Sequence, residues 1–304
     1  MRIKMVNLVS IIIPVFNKEK FLENCLMSIV CQTYKDIEVI CVNDCSKDTS
    51  LDILEMFRKT YDNIMVVNNI ENMGPGYSRN VGIDSCHGKY VYFLDADDQL
   101  KKNAIEELVT YMEANEDLEC IFFDTEMDDK ESVGQLPIQD FKAKSNKKMS
   151  GRKFFTDTYN RRCNSNAVWR QFWRKEALIR YELRFPNYRL AEDGLFSIQA
   201  YMLLNKVAYY PKALHKCIRN SGSLSNTYNS TRILTTFKIY CEYIDILKNW
   251  KLDEQTYDAF TQYVNEYLDK LRRITLHQPD FNISDLQNED DIKLFQELLK
   301  QSMH

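Results

Sequence analysis

KYVYFLDADD, residues 89–98, runs from a stretch of apolar residues straight into three carboxylates within four positions. The run Tyr90–Leu94 has the pattern of a strand buried on both faces, as in a parallel sheet covered by helices. Three carboxylates so close together repel one another unless a cation sits among them. Hard divalent cations take oxygen ligands, and Mg²⁺ or Mn²⁺ commonly combines one or two carboxylates with phosphate oxygens. The same residues also suit an acidic turn before a helix, since carboxylates favour a helix N-terminus. The face Leu100, Ala104, Ile105, Leu108 and Met112 predicts that helix.

Upstream, strand and helix signals alternate. Val9–Val15 (VSIIIPV), Ile37–Val42 and Ile64–Val67 read as buried strands. Between them lie a helix with Phe21, Leu22, Cys25, Leu26 and Ile29 on one face, capped by Asn17, and a second capped by Asp48 with Leu51, Leu54, Met56 and Phe57 inward. Gly76–Cys86 reads as a third helix. The order predicts an α/β fold with a mostly parallel central sheet and helices on both faces. Cys120–Asp124 is a further buried strand, and the polar stretch 127–150 reads as a loop or linker. Helices are expected at 151–160, 175–181 and 192–204. Beyond 230, two amphipathic stripes predict a helical region: Ile233, Leu234, Phe237, Tyr240, Ile244, Leu247, then Tyr257, Phe260, Val264, Tyr267, Leu268, Leu271. Such stripes pack within their own chain or form a homodimer surface. The expected division is therefore 1–125, 126–230 and 231–304.

With 304 residues, 44% of them hydrophobic, the chain can bury a substantial core. Eight Gly and six Pro exclude collagen-like and low-complexity classes. No window reaches 18 apolar residues, so no transmembrane helix is expected, and MRIKMVNLVSIIIPVFN reads as a first strand rather than a signal peptide. Nine Cys without a CxxC pair suit reduced thiols, and the four His do not pair with Cys at zinc-ligand spacing. The expected location is cytoplasmic, with peripheral contact at the inner membrane face left open. Net charge is −4, but residues 151–230 carry 14 Lys/Arg against five Asp/Glu. That basic block faces an anionic partner, such as a phosphate, an acidic glycan or a membrane surface, or is a solvated face. No nucleic-acid motif accompanies it.

Open α/β sheets bind ligands beyond the carboxyl ends of their strands. Four short polar segments would gather there: Pro14–Asn17, Asn43–Ser46, Glu71–Gly76 and Asp95–Asp98. Asp44 can accept a hydrogen bond from an imide N–H or a ribose hydroxyl, or cap a helix. Arg79 can reach a phosphate or a base edge, or lie in solvent; Phe16 can stack on a base or fill the edge of the core. Glu192-Asp193 opens a helical segment as dipole partners or as a general base. Trp169 and Trp173 offer a sugar platform or core packing, sharing a helical face with Phe172. His215, Arg219 and 221–225 can close over a diphosphate as a lid. The pair Gly74/Gly76 after a strand imitates a dinucleotide fingerprint, but its third glycine position is Arg79.

Together, SIIIPVFNKEKFLENCLMSIVCQTYKDIEVICVNDCSKDTS, ENMGPGYSRNVGIDSCHGKYVYFLDADD and VWRQFWRKEAL with AEDGLF resemble family 2 glycosyltransferases, inverting enzymes of the GT-A fold. The resemblance covers 8–115 densely and 165–225 thinly. It implies a nucleotide-sugar donor, most often a UDP-sugar, with Mg²⁺ or Mn²⁺. It places Pro14, Phe16, Asn17 and Asp44 on the uridine, with Asn72, Gly74 and Arg79 near it. Asp95 and Ala96 would face the ribose and Asp97, with Asp95, the metal. Asp193 would be the base of a single in-line displacement, with Trp169, Glu192, His215 and Arg219 toward acceptor or diphosphate. Asn43 departs from a frequent Asp, and Phe16 from a frequent Tyr. The implied acceptor is a glycan, lipid-linked glycan or protein in polysaccharide, lipopolysaccharide or capsule assembly. The rival readings are a non-catalytic nucleotide-sugar-binding scaffold, which would lack the acidic turn or the base, and a sugar nucleotidyltransferase, which would need a Gly-rich basic loop after the first strand.

Overall fold

A computed structural model describes residues 7–128, 141, 147–218, 230–278, 281–282, 286 and 288–300. They fall into two compact units, 1–220 and 221–304.

The first unit is α/β. Strands β1 (Val9–Val15), β2 (Ile37–Asn43), β3 (Ile64–Asn68) and β4 (Tyr90–Phe93) are linked through helices α1 (Leu22–Val30), α2 (Ser50–Thr60) and α3 (Pro75–Ser85). They lie side by side in the order β3-β2-β1-β4, all parallel, with Val9 level with both Ile37 and Tyr90. Ile11, Ile12 and Ile13 are wholly buried, as a strand covered on both faces requires. Pro14 lies past the last β1–β4 pair, Ile12 with Phe93, where the sheet begins to open.

Beyond β4 the sheet turns mixed. A two-residue strand β5 (Gln99–Leu100) precedes α4 (Ala104–Glu113), then β6 (Cys120–Asp128), α5 (Gly151–Asn160), β7 (Gln171–Arg174), α6 (Lys175–Arg180), α7 (Glu192–Leu203) and β8 (Val207–Ile218). The full order is β3-β2-β1-β4-β7-β6-β8-β5. The chain therefore does not place β6 beside β4: β7 intervenes, antiparallel to both. One sheet thus runs through both the first 125 residues and the segment that follows.

Several local expectations differ. Residues 168–170 form a short 3-10 turn and 171–174 a strand, not a helix. Phe172 and Trp173 are both fully buried because the strand is covered on both faces, which erases the two-residue alternation. β8 has no strand signature because it carries Pro211. The ladder with β6 shifts register between Tyr210 and His215, so the proline sits at a bulge where its missing N–H costs no ladder bond. Asn17 does not cap α1, which starts at Leu22; it adopts φ 51° and its Oδ1 accepts a hydrogen bond from the Lys47 N–H at 2.7 Å. Asp48 does support α2, accepting from the Ser50 N–H at 3.0 Å. Met56 is exposed, and Leu100 belongs to β5 rather than to a helix.

The second unit contains α8 (Ser230–Asn249), α9 (Glu254–Leu276) and α10 (Glu289–Lys300). Asp253 caps α9 through the Thr256 N–H at 3.0 Å. Ile233, Phe237 and Tyr240 of the first stripe, and Phe260, Val264, Leu268 and Leu271 of the second, are buried. Tyr243 meets Phe260 edge-on, and Phe237 meets Phe295 likewise. Tyr257 is exposed. Among the described residues no helix is long and apolar enough to cross a membrane.

Candidate active site

Parallel neighbours β3, β2, β1 and β4 deliver their following loops to one rim. Side-chain hydrogen bonds tie these loops to each other. The Asn17 N–H donates to Ser46 Oγ at 3.1 Å, and Lys18 N–H to Ser50 Oγ at 2.8 Å, joining the β1 and β2 loops. Asp44 is buried beneath the β3–α3 loop. Its Oδ1 accepts from the Met73 N–H at 2.9 Å and Asn69 Nδ2 at 2.7 Å, and its Oδ2 accepts from the Gly74 N–H at 2.8 Å. Asn72 donates to the Asp44 carbonyl at 3.2 Å. Gly74 has φ 92°, a conformation that a side chain strains, and it opens α3. Phe16 is half exposed at the rim and Ala96 is buried in the acidic turn.

Among the described residues, a basic side chain lies at each carboxylate of the acidic turn after β4. Asp95 Oδ1 accepts from Arg79 Nη2 at 2.7 Å. Asp97 forms an ion pair with Lys18. Asp98, which is buried, lies 3.2 Å from His215 Nε2 and accepts from the Ile218 N–H at 2.8 Å. Burial pushes the Asp98 carboxyl up, while His215 opposes the rise.

Arg79 does not lie in solvent. It is 4% exposed, packs over the Phe185 ring at 5.2 Å, and gives Nη1 to Glu192 Oε1 at 2.6 Å. A single guanidinium therefore joins the turn after β4 to the first residue of α7. Burial works against its charge, but Asp95 and Glu192 outweigh that and raise its pKa further, so it stays ionised. Glu192, buried and committed to Arg79, is not placed to meet an acceptor or diphosphate.

Asp193, next in sequence, is half-buried, and the Arg79 guanidinium beside it is given to Glu192. Burial pushes its carboxyl up to about 7, with Glu192 adding to the rise, Arg79 opposing it and Asp95 adding again. A carboxylate near 4 would be a feeble proton acceptor; one near 7 is matched to neutral pH.

His215 lies under the acidic turn rather than over it. It is fully buried, its Nδ1 is 2.9 Å from Thr125 Oγ1, and its ring stacks on Trp169 at 4.4 Å. That burial excludes the lid role; the histidine braces Asp98 from below. Trp169 is 9% exposed, with one face covered by His215, and Trp173 is core, packed on Phe196. Neither offers an open sugar platform. Arg219 and 221–225 lie outside the described residues. Sequence reasoning missed Lys18, which lies one residue past the Pro14–Asn17 segment.

The donor set at the turn is two hard carboxylates, Asp95 and Asp97, two residues apart with side chains 32% and 16% exposed. Among the described residues no group of three or more His, Cys, Asp or Glu forms a metal cage. Two partly exposed carboxylates fit a divalent cation whose shell substrate phosphates complete.

Residues 10–172, more than half of the chain, match the profile of Glycosyl transferase family 2. The chain belongs to glycosyl transferase family 2. This family 2 chain is 30% identical over 250 residues to an uncharacterized glycosyltransferase of Haemophilus influenzae, covering 80% of this chain and 75% of that one. It is 29% identical over 204 residues to the poly(ribitol-phosphate) beta-glucosyltransferase of Bacillus spizizenii, 66% of this chain and 30% of that protein. The chain spans about a third of the length of such longer relatives. S. aureus TarS 1-349, solved in complex with UDP, superposes with a TM-score of 0.66 at 22% identity, over 86% of this chain and 72% of TarS. The mannosyltransferase PcManGT from Pyrobaculum calidifontis, solved with GDP-Man and Mn²⁺, gives 0.60 at 14% identity, over 97% and 80%. The GT-A fold of this family 2 chain is thereby shown.

Proposed function

We propose that this glycosyltransferase moves a sugar from a nucleotide-sugar, a UDP-sugar by preference, to a hydroxyl acceptor with inversion at the anomeric carbon, in the assembly of a cell-surface glycan. The observation that carries the reading is the continuous link Asp95–Arg79–Glu192, with Asp193 beside it holding a carboxyl near neutral pH. That link sets the base at a fixed place relative to the turn that receives the donor.

The nucleoside lies against the rim loops, with Phe16 presenting an exposed ring to the base. Three of the roughly four lone-pair positions of Asp44 are used by the β3–α3 loop, and one on Oδ2 remains for an imide N–H. Asp95 and Asp97 would hold a Mg²⁺ or Mn²⁺ ion, which when bound neutralises charge on the departing diphosphate. Asp193 takes the proton of the acceptor hydroxyl as that oxygen attacks the anomeric carbon opposite the leaving group. The bond to the diphosphate breaks as the new glycosidic bond forms, and the proton remains on Asp193. Such base assistance is worth roughly 10²–10⁴-fold.

UDP in the TarS structure supports the uridine donor, and the named acceptor of the Bacillus relative, a poly(ribitol-phosphate), supports an anionic one. The basic block 151–230 of this chain has the matching sign. The test is nucleotide release from UDP-, GDP- and dTDP-sugars, with and without Mn²⁺ and with diverse acceptors. Asp193→Asn is expected to bind donor and transfer nothing. Full activity in that variant refutes the base, and no turnover of any donor refutes the transferase reading in favour of a binding scaffold.

A further inference from the structure

Among the described residues, the three acids of the turn Asp95–Asp98 meet three basic side chains, Arg79, Lys18 and His215, and these are not equivalent. Arg79 is 4% exposed, shared with Glu192 and packed on Phe185, so it cannot leave. His215 is fully buried between Trp169 and Asp98. Lys18 alone of the three is partly exposed, its side chain at 26% on a flexible four-carbon stem. Its backbone, by contrast, is pinned. The N–H is held by Ser50 Oγ at 2.8 Å, and the carbonyl accepts from the N–H groups of Phe21 and Leu22, both at 2.9 Å, at the start of α1. The ammonium is therefore delivered to Asp97 from a fixed root and can swing away without disturbing the loop.

We propose that Lys18 is a built-in counter-cation for Asp97 that makes divalent-metal binding by this chain conditional on a nucleotide diphosphate. The inference rests on the metal site proposed above. A bare dication arriving at Asp97 must displace an ammonium already there and then sit beside it, at a site where water screens the repulsion only in part. A diphosphate changes the balance. It brings negative charge that ligates the metal and gives the displaced ammonium a new partner. Metal and nucleotide are then taken together, and in the free protein Lys18 neutralises Asp97 and keeps the metal affinity low.

The test uses the full chain and manganese, read by water-proton relaxation enhancement, which distinguishes protein-bound Mn²⁺ from Mn²⁺ on free UDP and requires no turnover. Wild type is expected to hold Mn²⁺ roughly tenfold more tightly with saturating UDP than without it. Lys18→Met, which keeps the apolar stem, is expected to bind Mn²⁺ alone roughly tenfold more tightly than wild type, with the UDP dependence reduced. Lys18→Gln is expected to behave as Lys18→Met and Lys18→Arg as wild type, and circular dichroism checks that each is folded. Equal Mn²⁺ affinity of wild type, Lys18→Met and Lys18→Gln without nucleotide, while all bind Mn²⁺ with UDP, overturns the role of Lys18 and leaves the metal site standing. Absence of Mn²⁺ binding in every protein even with UDP, or unchanged binding in Asp97→Asn, overturns both.

Discussion

The pH dependence of transfer is the sharpest consequence of the environment of Asp193. Burial holds its carboxyl up to about 7, against 3.8 for an ordinary Asp, with Glu192 pushing the same way and Arg79 resisting. A base must be ionised to act. At pH 6 about one molecule in eleven carries the carboxylate and at pH 8 about ten in eleven, so kcat/KM should rise about tenfold across that interval. The perturbation that isolates the cause is Glu192→Gln. It removes the like charge beside Asp193 and releases the Arg79 guanidinium, which faces Glu192 Oε1 at 2.6 Å, to act on the base. Both changes favour the ionised form, so the rising limb should move about one unit toward acid. The pH 8 to pH 6 ratio then falls to about twofold. The assay is nucleotide release at subsaturating donor and acceptor, in mixed buffers of constant ionic strength, where kcat/KM reports groups of the free enzyme. A flat wild-type profile between pH 6 and 8 refutes the raised basicity. A limb that stays in place or moves toward alkali in Glu192→Gln refutes the like-charge account of it.

The same group should leave a mark on stability: the folded state holds the Asp193 proton up to about 7 while the unfolded chain releases it near 3.8, so folding binds the extra proton and stability falls as pH rises through that window. Asp193→Asn should therefore raise the urea midpoint at pH 8 and leave it unchanged at pH 3; a loss at pH 8 contradicts this. Arg79→Met strands the buried Glu192 and the facing Asp95 and should cost about 3–5 kcal/mol in urea unfolding, with Arg79→Met/Glu192→Met recovering part of it. Gly82 lies where α3 meets β1, and an added Cβ would come within 2.3 Å of Ile12 Cγ2. Gly82→Ala should thus destabilise by about 1–3 kcal/mol, and a neutral result would show that the helix lifts freely from the sheet.

Residues 9–94 were legible because each signal there is local. Continuous apolar strands alternate with one-sided helices, and that order admits few arrangements other than parallel neighbours with their loops on one rim. Past residue 100 the strand at Cys120–Asp124 and the helices at 151–160, 175–181 and 192–204 were legible too, but β7 and β8 were not, for particular reasons. β7 is covered on both faces and loses its alternation, while β8 carries a proline at its bulge. The acidic turn and the Glu192-Asp193 pair stood out by composition, but their division of labour did not. Adjacent carboxylates become an ion-pair partner and a base only through what surrounds them.

Sequence alone determined the α/β class, the succession of the first four strands along the chain and the presence of an acidic turn beyond the fourth, because side-chain periodicity acts over a few residues at a time. Tertiary structure alone decided which basic group each acid meets: Lys18 for Asp97 across 79 residues, Arg79 for Glu192 across 113, and the His215 imidazole for Asp98, where β8 pairs with β5. Charge pairing and desolvation depend on distance and burial in space, and neither quantity is written in the spacing along the chain.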